Sequence, residues 1–158
     1  MHICPAEKRH IPGMIALLKQ VGQVHAEGRP DLFRQGAQKY NESQLEAILA
    51  DENRPIFIAE EEGRVLGYCF CRFDEVEENA CVNGRRELYI DDLCVEETCR
   101  GKHIGQTLYR HIQPWANQQG FDYITLHVWC FNESAEKFYR SLGMKNRYIC
   151  MEQKLEEV

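Results

Sequence analysis

The sequence predicts an α/β fold: a mixed, mostly antiparallel twisted sheet with one local parallel strand pair and helices on both faces. Three observations carry this. Two N-terminal segments repeat apolar residues at helical spacing. After "NRP" the texture changes to short β-rich runs joined by tight turns, and the second half then alternates strand, helix, strand, helix. A strand–helix–strand step implies a parallel pair joined by a right-handed crossover. A sheet covered by helices on both faces is an α/β-type sandwich.

In chain order, "HICP" is a short strand ending at Pro5. "EKRHIPGMIALLKQVGQVHA" carries Ile11, Met14, Ile15, Leu18 and Val21 as a helical stripe, with Pro12 in the first turn, where a missing N–H costs little. "NESQLEAILADEN" is a second helix capped by Asn41 or Ser43. "IFIAEE" and "RVLGYCFCRF" are strands joined by the turn "EEGR", and "RELYIDDLCVEE" is a third long strand. A helix over 103–119 presents Ile104, Leu108, Ile112 and Trp115 or Ala116, with Pro114 kinking its last part. "DYITLHVW" is a strand, "NESAEKFYRSLG" a short helix, and "YICMEQKL" a closing strand.

The 158 residues fit one domain, 1–158, with helices in 1–54 and the sheet in 55–155. No apolar run approaches the roughly 20 residues that cross a bilayer. The N-terminus lacks the apolar core of a secretory signal, so a cytoplasmic protein without a membrane partner is expected. A formal net charge of −6 argues against nucleic acid, whose binders carry a basic stripe. The eight cysteines show no framework spacing and no C-x-x-C, so reduced thiols are expected. Cys94, Cys99, His103 and His111 match no zinc template, nor do His127 and Cys130, and no metal is expected.

Two stretches carry chemistry. In "CRGKHIGQTLYR" a strand passes through a glycine-bearing turn into a helix N-terminus, where unpaired amides and the helix dipole favour an anion. Neither the G-K-[ST] ending of a Walker loop nor a G-x-G-x-x-G pattern is present. One strand downstream, "HVWCFNESAEKFYRSLGMK" places Asn132 as a helix cap and Gly143 as its terminator. Asn132 and Tyr139 lie two turns apart on one face.

Together, "VEETCRGKHIGQTLY" and "LHVWCFNESAEKFYRSLGM" resemble the GCN5-related N-acetyltransferase (GNAT) superfamily, over roughly residues 55–155. The resemblance implies the GNAT fold and an acetyl-CoA cosubstrate. The family's pyrophosphate segment, R/Q-x-x-G-x-G/A, falls on Arg100, Gly101, Lys102, His103, Ile104 and Gly105, and its N-x-x-A-x-x-F-Y on Asn132, Ala135, Phe138 and Tyr139. The chain departs from the pattern at His103, which occupies the middle glycine.

The resemblance further implies that the backbone of Leu93, Cys94 and Val95 holds the pantetheine arm and polarises the thioester. Tyr139 would protonate the departing thiolate. A carboxylate must take the proton of the attacking amine, and "YIDDLCV" offers Asp91 and Asp92. Strand parity does not choose between them, because the family carries a bulge here that resets the alternation. An acidic residue serves at the position of Asp91 in the polyamine-acetylating branch, which favours Asp91. A route through an acyl-cysteine on Cys94 is the alternative to direct transfer. The expected acceptor is a small cationic amine, polyamine- or aminoglycoside-like, drawn by Glu27, Asp31 and the acidic 74–78 run. A protein N-terminus or lysine is an alternative acceptor, and a non-catalytic acyl-CoA sensor an alternative function. A homodimer stands open beside a monomer.

Overall fold

The computed structural model describes residues 1–155. It resolves into two compact units, Met1–His127 and Val128–Val158. The first carries, in order, β1 (His2–Pro5), α1 (Ile11–Gly28), α2 (Glu42–Leu49), β2 (Ile56–Glu61), β3 (Arg64–Val76), β4 (Arg85–Val95), α3 (Ile104–Gln118) and β5 (Tyr123–Leu126). The second carries α4 (Glu133–Ser141).

The five strands form one open sheet in the order β1-β2-β3-β4-β5. The β1–β2, β2–β3 and β3–β4 pairs are antiparallel, and β4–β5 is parallel, as the crossover through α3 requires. Period-2 alternation divides β2 and β3 between two cores. Ile56, Ile58, Tyr68 and Phe70 pack with Met14, Leu17, Leu18, Leu45 and Ile48 of α1 and α2. On the other face Phe57 meets the Trp115 ring of α3 edge-on at 5.0 Å, and Ile104, Leu108 and Ile112 are buried. Fully burying a side chain such as Leu108 is worth about 1.5–3 kcal/mol. Gly67 permits this packing: a β-carbon there would lie 2.9 Å from the Cys94 carbonyl oxygen and 3.4 Å from both Ile104 and Leu108.

Local signals set the element ends. Asn41 caps α2 by accepting from the Gln44 N–H, and the Gln44 side chain accepts in return from the Asn41 N–H (2.9 Å each). Pro12 sits in the first turn of α1. One expectation fails: no strand forms over 148–155 among the described residues. Tyr148, Ile149, Met151 and Leu155 are exposed there. Alternating apolar residues give a propensity for extension, but a strand exists only where a partner completes its hydrogen bonds. The strand expected at "DYITLHVW" is likewise shorter, ending at Leu126.

Candidate functional site

The turn between β4 and α3 presents backbone donors. After a 3-10 turn at Glu97–Cys99, Arg100 is extended (φ −63°, ψ 156°). Gly101 has φ +79°, and His103, the N-cap of α3, has φ 60° and ψ 18°. This left-handed region is open to glycine and disfavoured for residues with a β-carbon. The position where the family pattern has a glycine demands that conformation here too. His103 adopts it at a cost of about 1 kcal/mol, held by Thr107, whose N–H and hydroxyl both donate to its carbonyl (2.9 and 3.0 Å). The exposed His103 ring makes no cap hydrogen bond, and the first turn of α3 contains no acidic residue. The early amides of α3 therefore carry no side-chain cap and are flanked by exposed Arg100 and Lys102, an arrangement that suits an anion.

The strand leading into this turn has one open edge. Pairing of β4 with β5 ends at Ile90↔Leu126, whereas pairing with β3 continues to Val95. The Glu96 N–H donates to the Leu66 carbonyl at 2.8 Å. In the alternating antiparallel ladder, the polar backbone groups of Leu93 and Val95 therefore point to the open edge. Gln20 of α1 fastens the end of this edge. Its Nε2 donates to the Val95 carbonyl (3.0 Å) and to Cys94 Sγ (3.3 Å), and its Oε1 accepts from the Glu97 N–H (3.0 Å). The Leu93 N–H donates to the Asp92 carboxylate, and the Leu93 carbonyl and the Val95 amide lie along the rest of this edge.

The two aspartates stand in different surroundings because β4 and β3 change register between Phe70 and Cys71. Ile90 lies opposite Cys71 and Asp92 opposite Phe70, leaving Asp91 as the extra residue. Asp91 is bound from the α1–α2 connection. Tyr40 donates its hydroxyl to Oδ2 (2.7 Å), Lys39 Nζ lies 2.9 Å from the same oxygen, and Arg72 Nη1 is 3.9 Å from Oδ1. Burial acts to raise the Asp91 pKa, but Tyr40, Lys39 and Arg72 outweigh it and hold the carboxyl below its ordinary value. Tyr40 in turn is pushed up to about 12 by burial and by Asp91.

Asp92 shares the face of Tyr68, whose hydroxyl donates to it at 2.8 Å. Burial raises its pKa to about 6, partly offset by that hydrogen bond. A carboxyl titrating just below neutrality is matched to proton abstraction. The Cys94 thiol is buried and pushed up to about 12, chiefly by that burial. A thiol so placed supplies almost no thiolate near pH 7.

The remaining expected residues lie in the second unit. Asn132 Oδ1 accepts from the Ala135 N–H (3.2 Å) and the Ser134 hydroxyl (3.0 Å), capping α4. Tyr139 lies two turns on, its ring 5.1 Å from that of Phe138. The structure thus brings Asp91 to Val95 and Arg100 to Gly105 together in one unit, and Asn132, Ala135 and Tyr139 together in the other.

A strand with an open edge, running into an uncapped helix N-terminus at a left-handed turn, agrees with the sequence comparison. The profile described as "Acetyltransferase (GNAT) family" matches residues 20–144. The chain belongs to the GNAT acetyltransferase family. A mutant of the BH1408 protein from Bacillus halodurans has the same GNAT fold: 30% identity, TM-score 0.94, covering 99% of this chain and 100% of that one. The aminoglycoside N-acetyltransferase AAC(6')-Iy, solved with CoA, shares the fold at 17% identity and TM-score 0.72, covering 98% and 99%. Among curated proteins, "Probable N-acetyltransferase san" of Drosophila melanogaster is 35% identical over 82 residues, 51% of this chain and 41% of that protein. The uncharacterized N-acetyltransferase MJ1530 of Methanocaldococcus jannaschii is 33% identical over 94 residues, 59% and 54%. The chain thus matches about half the length of these curated relatives.

Four residues of this GNAT site escape the sequence: Gln20, Tyr68, Lys39 and Tyr40. Gln20 lies on α1 outside its apolar stripe, Tyr68 in an apolar strand, and Lys39 and Tyr40 between α1 and α2. Each meets its partners from 24 to 77 residues away, and no local pattern marks such a meeting.

Proposed function

We propose that this GNAT domain transfers the acetyl group of acetyl-CoA to a primary amine by direct attack in a ternary complex. The observation that carries the reading is Asp92. It is a partly buried carboxyl with a pKa near 6, one residue before the open β4 edge that leads to the anion-binding turn. In this reading the cosubstrate's pyrophosphate rests on the amides that follow His103, with Arg100 and Lys102 supplying charge. The pantetheine arm pairs with the Leu93 carbonyl and the Val95 amide, and the Val95 amide polarises the thioester carbonyl and stabilises the oxyanion. The ammonium form of the acceptor has no lone pair, so Asp92 takes its proton before attack. The base role passes to Asp92 because the Asp91 carboxylate is already engaged by Tyr40 and Lys39. The departing thiolate takes a proton from Tyr139, a phenol being protonated at neutral pH. Cys94 is no nucleophile in this scheme, which favours direct transfer over an acyl-cysteine.

The acceptor we propose is a small cationic amine, which the chain's net negative charge supports. A specific observation favours a second reading, an acceptor with one amine on an otherwise uncharged body, such as a peptide N-terminus. Asp31 is paired with Arg29, Asp74 with Arg72 and Asp91 with Lys39, so these carboxylates are already matched by cations. Thiol release from acetyl-CoA across polyamines, aminoglycosides and peptides separates the two. Tyr139→Phe serves as the control and is expected to slow turnover by about 10²–10⁴-fold. Turnover unchanged in Tyr139→Phe refutes the acid role. A melting temperature raised by acetyl-CoA with no thiol released on any amine would make the domain an acyl-CoA sensor instead.

A further inference from the structure

The first two strands carry a cluster that plays no part in acetyl transfer, at the opposite end of the strand order from β4 and β5. Register places His2 directly opposite Glu60, and Cys4 opposite Ile58. Residues two apart on a strand share a face, so His2, Cys4 and Glu60 converge. One donor atom from each lies within 4.8 Å of the other two, and among the described residues this is the only such group of three.

The surroundings of Glu60 hold it as a ligand. The Glu7 N–H donates to His10 Nδ1 (2.8 Å), so the ring proton sits on Nε2, which donates to Glu60 Oε2 (2.9 Å). Arg9 Nη1 donates to Oε1 (2.8 Å). Arg9 and His10 thus hold one carboxylate oxygen each and fix the orientation of the Glu60 side chain. Each carboxylate oxygen accepts about two hydrogen bonds. His10 uses one position on Oε2, and the other faces Cys4 Sγ at 3.8 Å. Zinc bonds of about 2.3 Å to sulfur and 2.0 Å to oxygen at a tetrahedral angle separate the two donors by about 3.5 Å. The observed separation needs to close by only a few tenths of an ångström.

We infer that His2, Cys4 and Glu60 bind one divalent metal ion of the zinc type. An imidazole, a thiolate and one carboxylate oxygen serve as protein ligands, and a fourth position is open to water. The mixed N, S, O donor set selects zinc, cobalt or nickel over calcium or magnesium, which take oxygen ligands. Arg9 and His10 act as the outer hydrogen-bonding shell that orients the carboxylate. The S–H bond of Cys4 breaks as the S–metal bond forms, and its proton leaves to solvent, so affinity rises with pH.

Cobalt(II) titration of the full chain under a non-thiol reductant tests this, read by the thiolate-to-cobalt charge-transfer absorption. Saturation at one equivalent is expected, with zinc displacing the cobalt and raising the melting temperature. Cys4→Ser removes the charge-transfer band, and Cys4→Ser and His2→Ala each weaken zinc binding by more than about tenfold. Circular dichroism checks that both variants are folded; His2 is exposed and Cys4 only partly buried. Absence of saturable binding overturns the inference. So does a band that survives Cys4→Ser, which would place the metal on exposed Cys81, Cys130 or Cys150. None of these readouts depends on acetyl transfer.

Discussion

Replacing Asp92 by asparagine removes a charge that the fold accommodates poorly but the proposed chemistry uses. Burial raises the Asp92 pKa from an ordinary 3.8 to about 6. Below pH 3.8 the carboxyl is protonated in both the folded and the unfolded chain, and the displacement has no consequence. As pH climbs through 6 the folded chain must ionise a partly buried group that ionised more easily when unfolded, so stability falls. A displacement of about 2 units, at 1.36 kcal/mol per unit, amounts to about 3 kcal/mol at pH 7.5. Asparagine keeps an oxygen for the Tyr68 hydroxyl and drops the charge. Asp92→Asn should therefore be about 3 kcal/mol more stable than the native chain in urea denaturation at pH 7.5 and equal to it near pH 3.5. In the same variant thiol release falls by about 10²–10⁴-fold, and the acid limb of kcat/KM near pH 6 disappears. Tyr68→Phe supplies the complementary shift. It deletes a hydrogen bond to the ionised form, moving the acid limb of an otherwise active enzyme up by about one unit. An equal stability gain at both pH values would refute the assignment of burial as the cause. An acid limb that persists in Asp92→Asn but vanishes in Asp91→Asn would transfer the base role to Asp91.

The other predictions concern the turn and its supports. His103→Gly relieves a left-handed residue and should stabilise the chain by about 1 kcal/mol in denaturant, with the acetyl-CoA Kd changed by no more than about sixfold. A larger loss of affinity would show that the imidazole itself touches the ligand. Gln20→Leu removes the Gln20 hydrogen bonds to Cys94, Val95 and Glu97, and should raise KM for acetyl-CoA about tenfold while KM for the amine stays put, a split visible in initial-rate kinetics. Cys94→Ala should retain turnover within about threefold, because direct transfer needs no thiolate. Loss of activity in a folded Cys94→Ala protein would instead support the acyl-cysteine route.

Much of this molecule is written in short-range sequence. The apolar period of 11–21 predicts α1, and Asn41 or Ser43 the start of α2, because both are set by contacts within a few residues; the strand–helix–strand step predicts the parallel β4–β5 pair through the handedness of crossovers. The turn proposed to hold the cosubstrate is legible because Gly101 and the residues after it are consecutive. Where periodicity spoke for a strand over 148–155, it misled, since a ladder needs a second strand as well as an alternating pattern.

Tertiary structure decided what the chemistry depends on. Asp91 and Asp92 are identical neighbours in sequence, and their opposite pKa displacements come from a register shift between β3 and β4 and from Tyr68, Lys39 and Tyr40, which lie 24 or more residues away. His2 and Glu60 meet only because β1 pairs with β2 in one particular register. By itself the sequence determined the order of elements from β1 to α4, the helix caps and the glycine-bearing turn before α3, most of them properties of nearby residues. The choice of base and the convergence of possible metal ligands depend on burial and on charges brought together by folding, and neither is a property of adjacent residues.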